Sequence, residues 1–166
     1  MSRFQAFSGA GGGASDEPWR SILGTEPEGG RLLLDERPGA VRISAPLAYN
    51  LLKRGISSRA IGPVGEFLGV GKAEVADMLD IDRGTVARWA AKDQPLPTYA
   101  AEGLLRLLEL DQLAVDTFET ENEARHWLRK PHPMLDGDDP MSAAKTSYGA
   151  QRVKDILTAV KYGGVA

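Results

Sequence analysis

The sequence predicts an all-α protein, and two observations carry this prediction. Apolar residues recur at helical spacing, as at Val153, Ile156, Leu157 and Val160, and nowhere do they alternate for long with polar ones as in a half-buried strand. Residues that start or end helices separate these runs. With 166 residues, 42% of them hydrophobic, the chain has room for one ordinary domain or two small ones with a buried core.

The first 40 residues differ in composition from the rest of the chain. They contain the runs SGAGGGAS, EPEGG and ERPGA, which are rich in glycine, proline and serine. Such a composition buries too little apolar surface to offset the entropy lost on ordering, so residues 1–40 are expected to form a flexible arm. Residues 41–118 are expected to form a helical domain, and residues 119–166 a second, smaller one.

Five helices are predicted in the first domain from the residues that start and stop them. Ser44 is the N-cap of the first helix, and Gly55 is its C-terminal glycine. Gly62-Pro63 starts or interrupts a shorter helix, which the run EFLGVG closes. The remaining three cover residues 72–79, 83–91 and about 98–118, the last with Thr98 as its N-cap.

In the second domain, the run TENE at residues 120–123 has the form of a capping box and starts a helix. The following PHPMLDGDDP is expected to be a structured loop. A last helix starts at Pro140 after the capping residue Asp139, bends at Gly149 and ends at Gly163.

The stretch VADMLDIDRGTVARWA, residues 75–90, has the pattern of a helix-turn-helix. Ala76 is the small residue where the two helices cross, Ile81 fills the turn, and Asp82 caps the second helix. Asp80 stands where such turns usually carry glycine, and aspartate tolerates the left-handed conformation better than most residues. The side chains left to contact DNA are those of Arg83, Thr85, Arg88 and Lys92.

The charge of this region argues against DNA binding. Between residues 57 and 120 there are six basic residues and eleven acidic ones, a net charge of −5, and the whole chain carries −3. A helix-turn-helix used only for dimerisation or for docking a partner shows the same apolar pattern and needs no phosphate contacts. Both uses therefore stay open.

Catalytic and metal-binding patterns are missing from the sequence. The chain has no cysteine, no Gly-x-Ser-x-Gly elbow and no phosphate-binding loop, since GVGK at residues 69–72 lacks the required spacing. The run DGDD, with His126 and His132 nearby, lacks the spacing and the late glutamate of a calcium loop. We therefore expect no enzyme activity, no cofactor and no metal.

Membrane insertion and secretion are not expected either. No apolar run approaches the roughly 20 residues of a membrane span, and the N-terminus has no basic segment followed by an apolar one. Together with the missing cysteines, this predicts a cytoplasmic protein.

The late segment EARHWLRKPHPMLDGDDPMSAAKTSYGAQRVKDILTAVKYG combines several specific features. It contains a WL pair, a proline-flanked loop with Leu135 and Gly137, a Thr-x-x-Gly step at Thr146 and Gly149, and a glycine near its end. With the preceding helix-turn-helix, the order of elements over roughly residues 45–166 resembles the Xre/MbcA/ParS family of bacterial antitoxins. The chain departs from that family at residues 143–145, where leucines are usual, and in its glycine-rich arm and acidic balance.

The resemblance implies the antitoxin of a type II toxin-antitoxin system, whose toxin has a RES domain and acts on NAD. It implies a homodimer that neutralises the toxin and binds its own operator DNA. We expect toxin contacts from the apolar side chains of Trp127, Leu128, Leu135 and the 153–160 helix face, and from a tail that enters the active site: Lys161, Tyr162, Gly163, Gly164, Val165 and Ala166. The alternative is a free-standing helix-turn-helix regulator whose C-terminal half mediates dimerisation.

Overall fold

The computed structural model describes residues 43–163, so the predictions for the arm at residues 1–40 and for Gly164, Val165 and Ala166 lie outside the described range. Within that range the chain forms helices and no strand, with one isolated bridge between Ser57 and Pro95. The all-α prediction is confirmed for these residues.

Eight α-helices and two short 3-10 turns follow one another along the described chain. The helices are α1 Ala45–Arg54, α2 Ile61–Leu68, α3 Lys72–Met78, α4 Arg83–Ala91, α5 Thr98–Phe118, α6 Glu121–Arg129, α7 Pro140–Ala143 and α8 Ser147–Lys161. The 3-10 turns cover Ser58–Ala60 and Pro133–Leu135. None of these helices is both long and apolar enough to cross a bilayer.

The chain divides into two compact units between Leu104 and Leu105, which lie inside α5. The first unit contains α1 to α4 and the start of α5, and the second contains the rest of α5 and the helices after it. The sequence placed the domain limit at residue 118, at the end of α5, because a helix end is the only boundary that a local pattern reveals.

Predicted helix ends in the first unit are confirmed where a side chain acts on the adjacent backbone. The Ser44 hydroxyl accepts a hydrogen bond from the Leu47 N–H at 3.3 Å. Gly55 follows α1 with a backbone φ of +89°, which residues other than glycine rarely adopt. Gly62-Pro63 lies in the first turn of α2, where the missing proline donor costs no helical hydrogen bond.

Two predicted ends in this unit differ by one residue. Helix α5 begins at Thr98 itself, because the carbonyl of Pro97 accepts the Ala101 N–H and so occupies the capping position. Helix α3 ends at Met78, and Leu79 already belongs to the turn.

The first unit is held together by apolar side chains from all of its helices. The largest of those that are fully buried are Leu51, Ile56, Ile61, Val64, Val75, Val86 and Leu104. Burial of each side chain of this kind contributes roughly 1.5–3 kcal/mol. A Cβ at Gly103 would lie 2.8 Å from Leu79 Cδ2, so the bare backbone of α5 lets the end of α3 approach closely.

Helix α6 of the second unit begins with the predicted capping box. The Thr120 hydroxyl oxygen accepts a hydrogen bond from the Glu123 N–H at 3.3 Å. The carboxylate of Glu123 reaches back and accepts from the Thr120 hydroxyl at 3.1 Å. Glu121 and Arg125, four residues apart on α6, also form an ion pair, with 3.9 Å between the charged groups.

Helices α7 and α8 meet at a corner that only glycine permits. The Thr146 hydroxyl accepts a hydrogen bond from the Gly149 N–H at 3.0 Å and so caps α8. A Cβ at Gly149 would lie 1.8 Å from the carbonyl oxygen of Ala143. The predicted bend at Gly149 is therefore wrong: Thr146 caps a separate second helix, and Gly149 lies inside its first turn.

Helix α8 is fixed to the second half of α5 by packing and by two ion pairs. Val153 and Leu157 are fully buried. The Lys154 ammonium lies 2.9 Å from the Glu109 carboxylate, and the Lys161 ammonium lies 2.5 Å from that of Asp116. Both partners of each pair are partly exposed, so each pair contributes about 0.2–1 kcal/mol. Packing holds the helix, and the pairs set its register.

The close contact at Gly149 predicts a large effect of a single methyl group. Gly149→Ala should lower the free energy of unfolding by about 2–3 kcal/mol, because the corner must open to admit the Cβ. This loss outweighs the gain of roughly 1 kcal/mol that alanine has over glycine within a helix. Urea denaturation of the full chain measures the difference.

Gly62→Ala is the matched control, because a Cβ at Gly62 meets no atom within 4 Å. It should be neutral or stabilise by up to about 1 kcal/mol. Equal stabilities for the two variants would contradict the proposed packing of the corner.

Candidate functional site

Helices α3 and α4, with the turn between them, form the first candidate site. Asp80 has a φ of +57°, as predicted for the glycine position of the turn. Ile81 is buried inside the turn, and Ala76 is buried beneath it. The Asp82 carboxylate accepts a hydrogen bond from the Thr85 N–H at 3.1 Å and caps α4. The local features predicted for a helix-turn-helix are therefore present.

The four predicted DNA-contacting residues do not share one face of α4. Thr85, Arg88 and Lys92 lie within about 60° of one another around the helix axis, at 100° per residue. Arg88 donates a hydrogen bond to the Thr85 hydroxyl at 3.2 Å, which holds the guanidinium along the helix. Arg83 lies on another side of α4 and lines an open groove.

Acidic side chains also line this groove. Besides Arg83, it is formed by Gly71, Ala73, Glu74, Asp77, Ile81 and Asp82. Three carboxylates beside one guanidinium disfavour the approach of phosphate. The α4 face that is suited to DNA is therefore the one formed by Thr85, Arg88 and Lys92.

Arg59 is a basic residue beside α4 that the sequence analysis missed. Its Nε donates a hydrogen bond to the carbonyl of Ala90 at 2.9 Å, near the C-terminus of the helix. It also pairs with Asp93 at 3.6 Å, and Asp93 accepts a hydrogen bond from the Ser57 hydroxyl at 2.7 Å. Arg59 and Ala90 are 31 positions apart, so no local pattern could reveal the contact.

Two of the predicted toxin-binding residues lie in the core of the second unit. Leu128 is 3% exposed and Leu135 is 4% exposed, and most apolar residues of the predicted α8 face are buried with them. The expectation that these side chains provide an exposed apolar surface is therefore wrong, because the unit uses them for its own packing. Trp127 is half-buried, with its ring 5.5 Å from that of Phe118 and 5.7 Å from that of His132.

The described part of the predicted tail is partly committed to the fold. Lys161 is paired with Asp116, so its charge is not available to a partner without breaking that pair. Tyr162 is 79% exposed, and Gly163 follows at a φ of +84°. The chain therefore leaves α8 at a defined point, directly after Lys161.

The loop between α6 and α7 is structured, as predicted. The Nδ1 atom of His132 accepts a hydrogen bond from the Met134 backbone N–H at 3.2 Å. The backbone N–H of His132 donates to the carbonyl of Asp138 at 3.0 Å. Asp136 is left-handed, with a φ of +57°. In residues 43–163, no three His, Asp or Glu side chains converge in a group that could hold a metal ion.

Besides Tyr162, two exposed apolar side chains of the second unit come from residues that were not selected from the sequence. Met134 is 51% exposed and Tyr148 is 87% exposed. Arg152 donates hydrogen bonds to the carbonyl of Met134 and to the Asp136 carboxylate, the latter at 3.2 Å. The sequence could have identified Tyr148 as exposed from its position on the helix, because it lies about 140° from the buried Val153 around α8.

Comparison with known proteins identifies the second unit. Residues 113–163 match the family described as the antitoxin Xre/MbcA/ParS C-terminal toxin-binding domain. The Prs ADP-ribosylating antitoxin of a Sphingobium species is 27% identical over 125 residues, which cover 70% of this chain and 79% of that protein. Antitoxin Xre of Pseudomonas putida is 29% identical over 72 residues, or 43% of this chain and 45% of that protein.

A helical chain whose C-terminal part matches a toxin-binding domain, and whose relatives are named antitoxins, is an antitoxin of a toxin-antitoxin system. Its residues 113–163 match the toxin-binding domain of the Xre/MbcA/ParS antitoxins, the family that the sequence resembles. The match to a toxin-binding domain favours the antitoxin over the alternative of a free-standing regulator.

The stability of the chain without its partner should distinguish buried residues of the second unit from exposed ones. Leu128→Ala should lower the free energy of unfolding by about 2–4 kcal/mol, because it leaves a cavity in a packed interior. Met134→Ala, the matched surface control, should change it by less than about 0.5 kcal/mol. Urea denaturation without any partner measures both. A stable Leu128→Ala variant would contradict the burial of that side chain.

Proposed function

We propose that this antitoxin binds and neutralises a RES-domain toxin that acts on NAD in the cytoplasm. The single observation that carries the proposal is the match of residues 113–163 to a toxin-binding domain. The name of the Sphingobium relative supports the chemistry, because it refers to ADP-ribosylation and ADP-ribosyl transfer takes its group from NAD. The second unit then provides the toxin contacts, and the tail after Lys161 blocks the active site.

The chemistry of the tail fits such a pocket. A pocket for NAD accepts planar rings and an anionic pyrophosphate. The exposed ring of Tyr162 resembles the first. Gly163 and Gly164 carry no side chain, so the backbone that follows this ring fits a narrow cleft.

The ion pairs of α8 support this role by fixing where the tail begins. Lys154 and Lys161 are seven residues apart, and so are their partners Glu109 and Asp116. Two helices paired at the same interval cannot slide along one another without breaking both contacts. A tail that starts from a fixed point loses less entropy on binding than one that starts from a frayed helix.

Removal of the tail separates binding from inhibition. A chain that ends at Lys161 should still bind the toxin encoded by the neighbouring gene, because the helices of the second unit remain. It should fail to prevent NAD loss and growth arrest, because the pocket is open. Co-purification, cellular NAD content and growth measure the three properties.

The matched control for this truncation is Tyr49→Ser in the full-length chain, which changes an exposed tyrosine of the first unit and should inhibit normally. If the truncated chain protects NAD as well as the full chain does, inhibition comes from occlusion by the helices.

A second function, repression of its own operon as a homodimer, is supported by the exposed Arg88 and Lys92 on one face of α4. In a dimer of this type, two such helices enter successive major grooves about 34 Å apart and read a palindromic operator. The acidic groove at Arg83 limits the contact area, so binding would depend on few phosphate contacts and on base contacts from Thr85 and Arg88.

Replacement of single arginines tests this face. Arg88→Ala should weaken binding of the promoter fragment about tenfold and, if the lost contact is to phosphate, reduce the slope of affinity against salt by about one unit. Arg83→Ala should have a smaller effect, because that side chain lies among carboxylates. Lys145→Ala, an exposed basic residue of the second unit, is the control. Identical salt titrations for wild type, Arg88→Ala and Lys92→Ala would exclude this face.

A further inference from the structure

Two exposed apolar side chains of the second unit lie on either side of one arginine. Tyr148 precedes Arg152 by four residues, so both occupy one face of α8. The Arg152 guanidinium donates to the carbonyl of Met134 and to the carboxylate of Asp136, and so joins the 133–135 turn to that face. Met134, Tyr148 and Arg152 form what we call the Met134–Tyr148 surface.

The exposed side chains of this surface contribute little to the fold. Tyr148 is 87% exposed, and the inward positions of the same helix are filled by Ala150, Val153 and Leu157. A polar residue at position 148 would keep every buried contact of α8. Contiguous exposed apolar patches, unlike single exposed side chains, are characteristic of surfaces that are covered by a partner.

The surface is held in place before any partner binds. The Met134 N–H donates to His132 Nδ1, while its carbonyl accepts from Arg152, so the backbone of this residue is fixed on both sides. Asp136 is held by its ion pair with Arg152 at 3.2 Å. A fixed loop has less conformational entropy to lose on binding, which favours a tight complex.

Charge around the surface is predominantly acidic. Asp136 and Asp138 are exposed in the loop, and Asp155 lies on the same face of α8 as Tyr148, seven residues later. Against these three carboxylates stand the guanidinium of Arg152, which is paired with Asp136, and the exposed Lys145, three residues before Tyr148. An apolar centre with an acidic rim is complementary to an apolar patch with a basic rim.

We propose that the Met134–Tyr148 surface docks on the toxin beside the mouth of its NAD pocket. The inference rests on the proposed function and adds the location of the contact. A pocket that attracts a pyrophosphate carries arginine or lysine at its entrance, and these side chains supply the basic rim. The surface lies within residues 113–163, the part of the chain that matches a toxin-binding domain.

The experiment measures binding of the full-length antitoxin to the toxin encoded beside it by isothermal titration calorimetry. The double variant Met134→Ser, Tyr148→Ser should raise Kd about 10- to 100-fold, as expected for loss of two central apolar contacts. The matched control, Tyr49→Ser with Tyr99→Ser, removes two exposed tyrosines of the first unit and should leave Kd unchanged. Because all four side chains are exposed, the melting temperatures of the free variants should match that of the wild type.

A second variant tests the charge complementarity. Asp138→Asn with Asp155→Asn removes two rim carboxylates and keeps the ion pair of Asp136 with Arg152. It should weaken binding several-fold at low salt and little at high salt, because screening already suppresses the interaction there.

Three outcomes contradict the proposal in different ways. Equal Kd values for the wild type and the serine double variant exclude the Met134–Tyr148 surface as a toxin contact and leave the proposed function intact. A change in mass of the free serine variant by light scattering, with an unchanged Kd for the toxin, shows that the surface joins two copies of this chain instead. A wild-type chain that does not bind the toxin contradicts the proposed function, and the docking surface with it.

Discussion

The contact between the backbone of Gly149 and the carbonyl of Ala143 determines where the functional groups of the second unit lie. Because Gly149 has no side chain, the first turn of α8 lies against Ala143, the last residue of α7, and the Thr146 hydroxyl caps α8 through the Gly149 amide. Arg106 of α5 donates to the carbonyls of Ala144 and Lys145, both at 3.4 Å, and so provides weak partners for the backbone of the corner. The phase of α8 is thereby fixed, and with it the direction of each later side chain.

That phase gives α8 two different faces. Val153 and Leu157 point into the core, while Tyr148 and Arg152 point outward, and Arg152 bonds to the loop at Met134. Lys154 and Lys161 lie between these faces and pair with α5. Helix α8 thus stabilises the unit, carries part of the proposed docking surface and sets the point where the tail begins. A shift of the corner would therefore disturb all three properties together. In this chain the Thr-x-x-Gly step at Thr146 and Gly149 forms the corner on which these properties depend.

Local chemistry made much of the fold predictable, and contacts between distant residues limited the prediction of the site. Ser44, Asp82 and Thr120 were recognised as caps because each acts on the amide three residues away. Leu128 and Leu135 were assigned to the partner surface because the apolar pattern of a core is the same as that of an interface. The contacts of Arg152 with the loop span 16 and 18 residues, and no periodic pattern encodes them. The surface therefore became visible only in the folded chain.

We propose that the second unit binds the toxin on the face shared by the 133–138 loop and α8. Amide hydrogen exchange of the chain, alone and with the toxin bound, tests this proposal. Exchange should slow at residues 133–138, at residues 147–152 and in the tail after Lys161, with no change in α3 and α4. Protection that is confined to residues 75–92, with residues 133–163 unchanged, would contradict it and assign toxin binding to the helix pair instead.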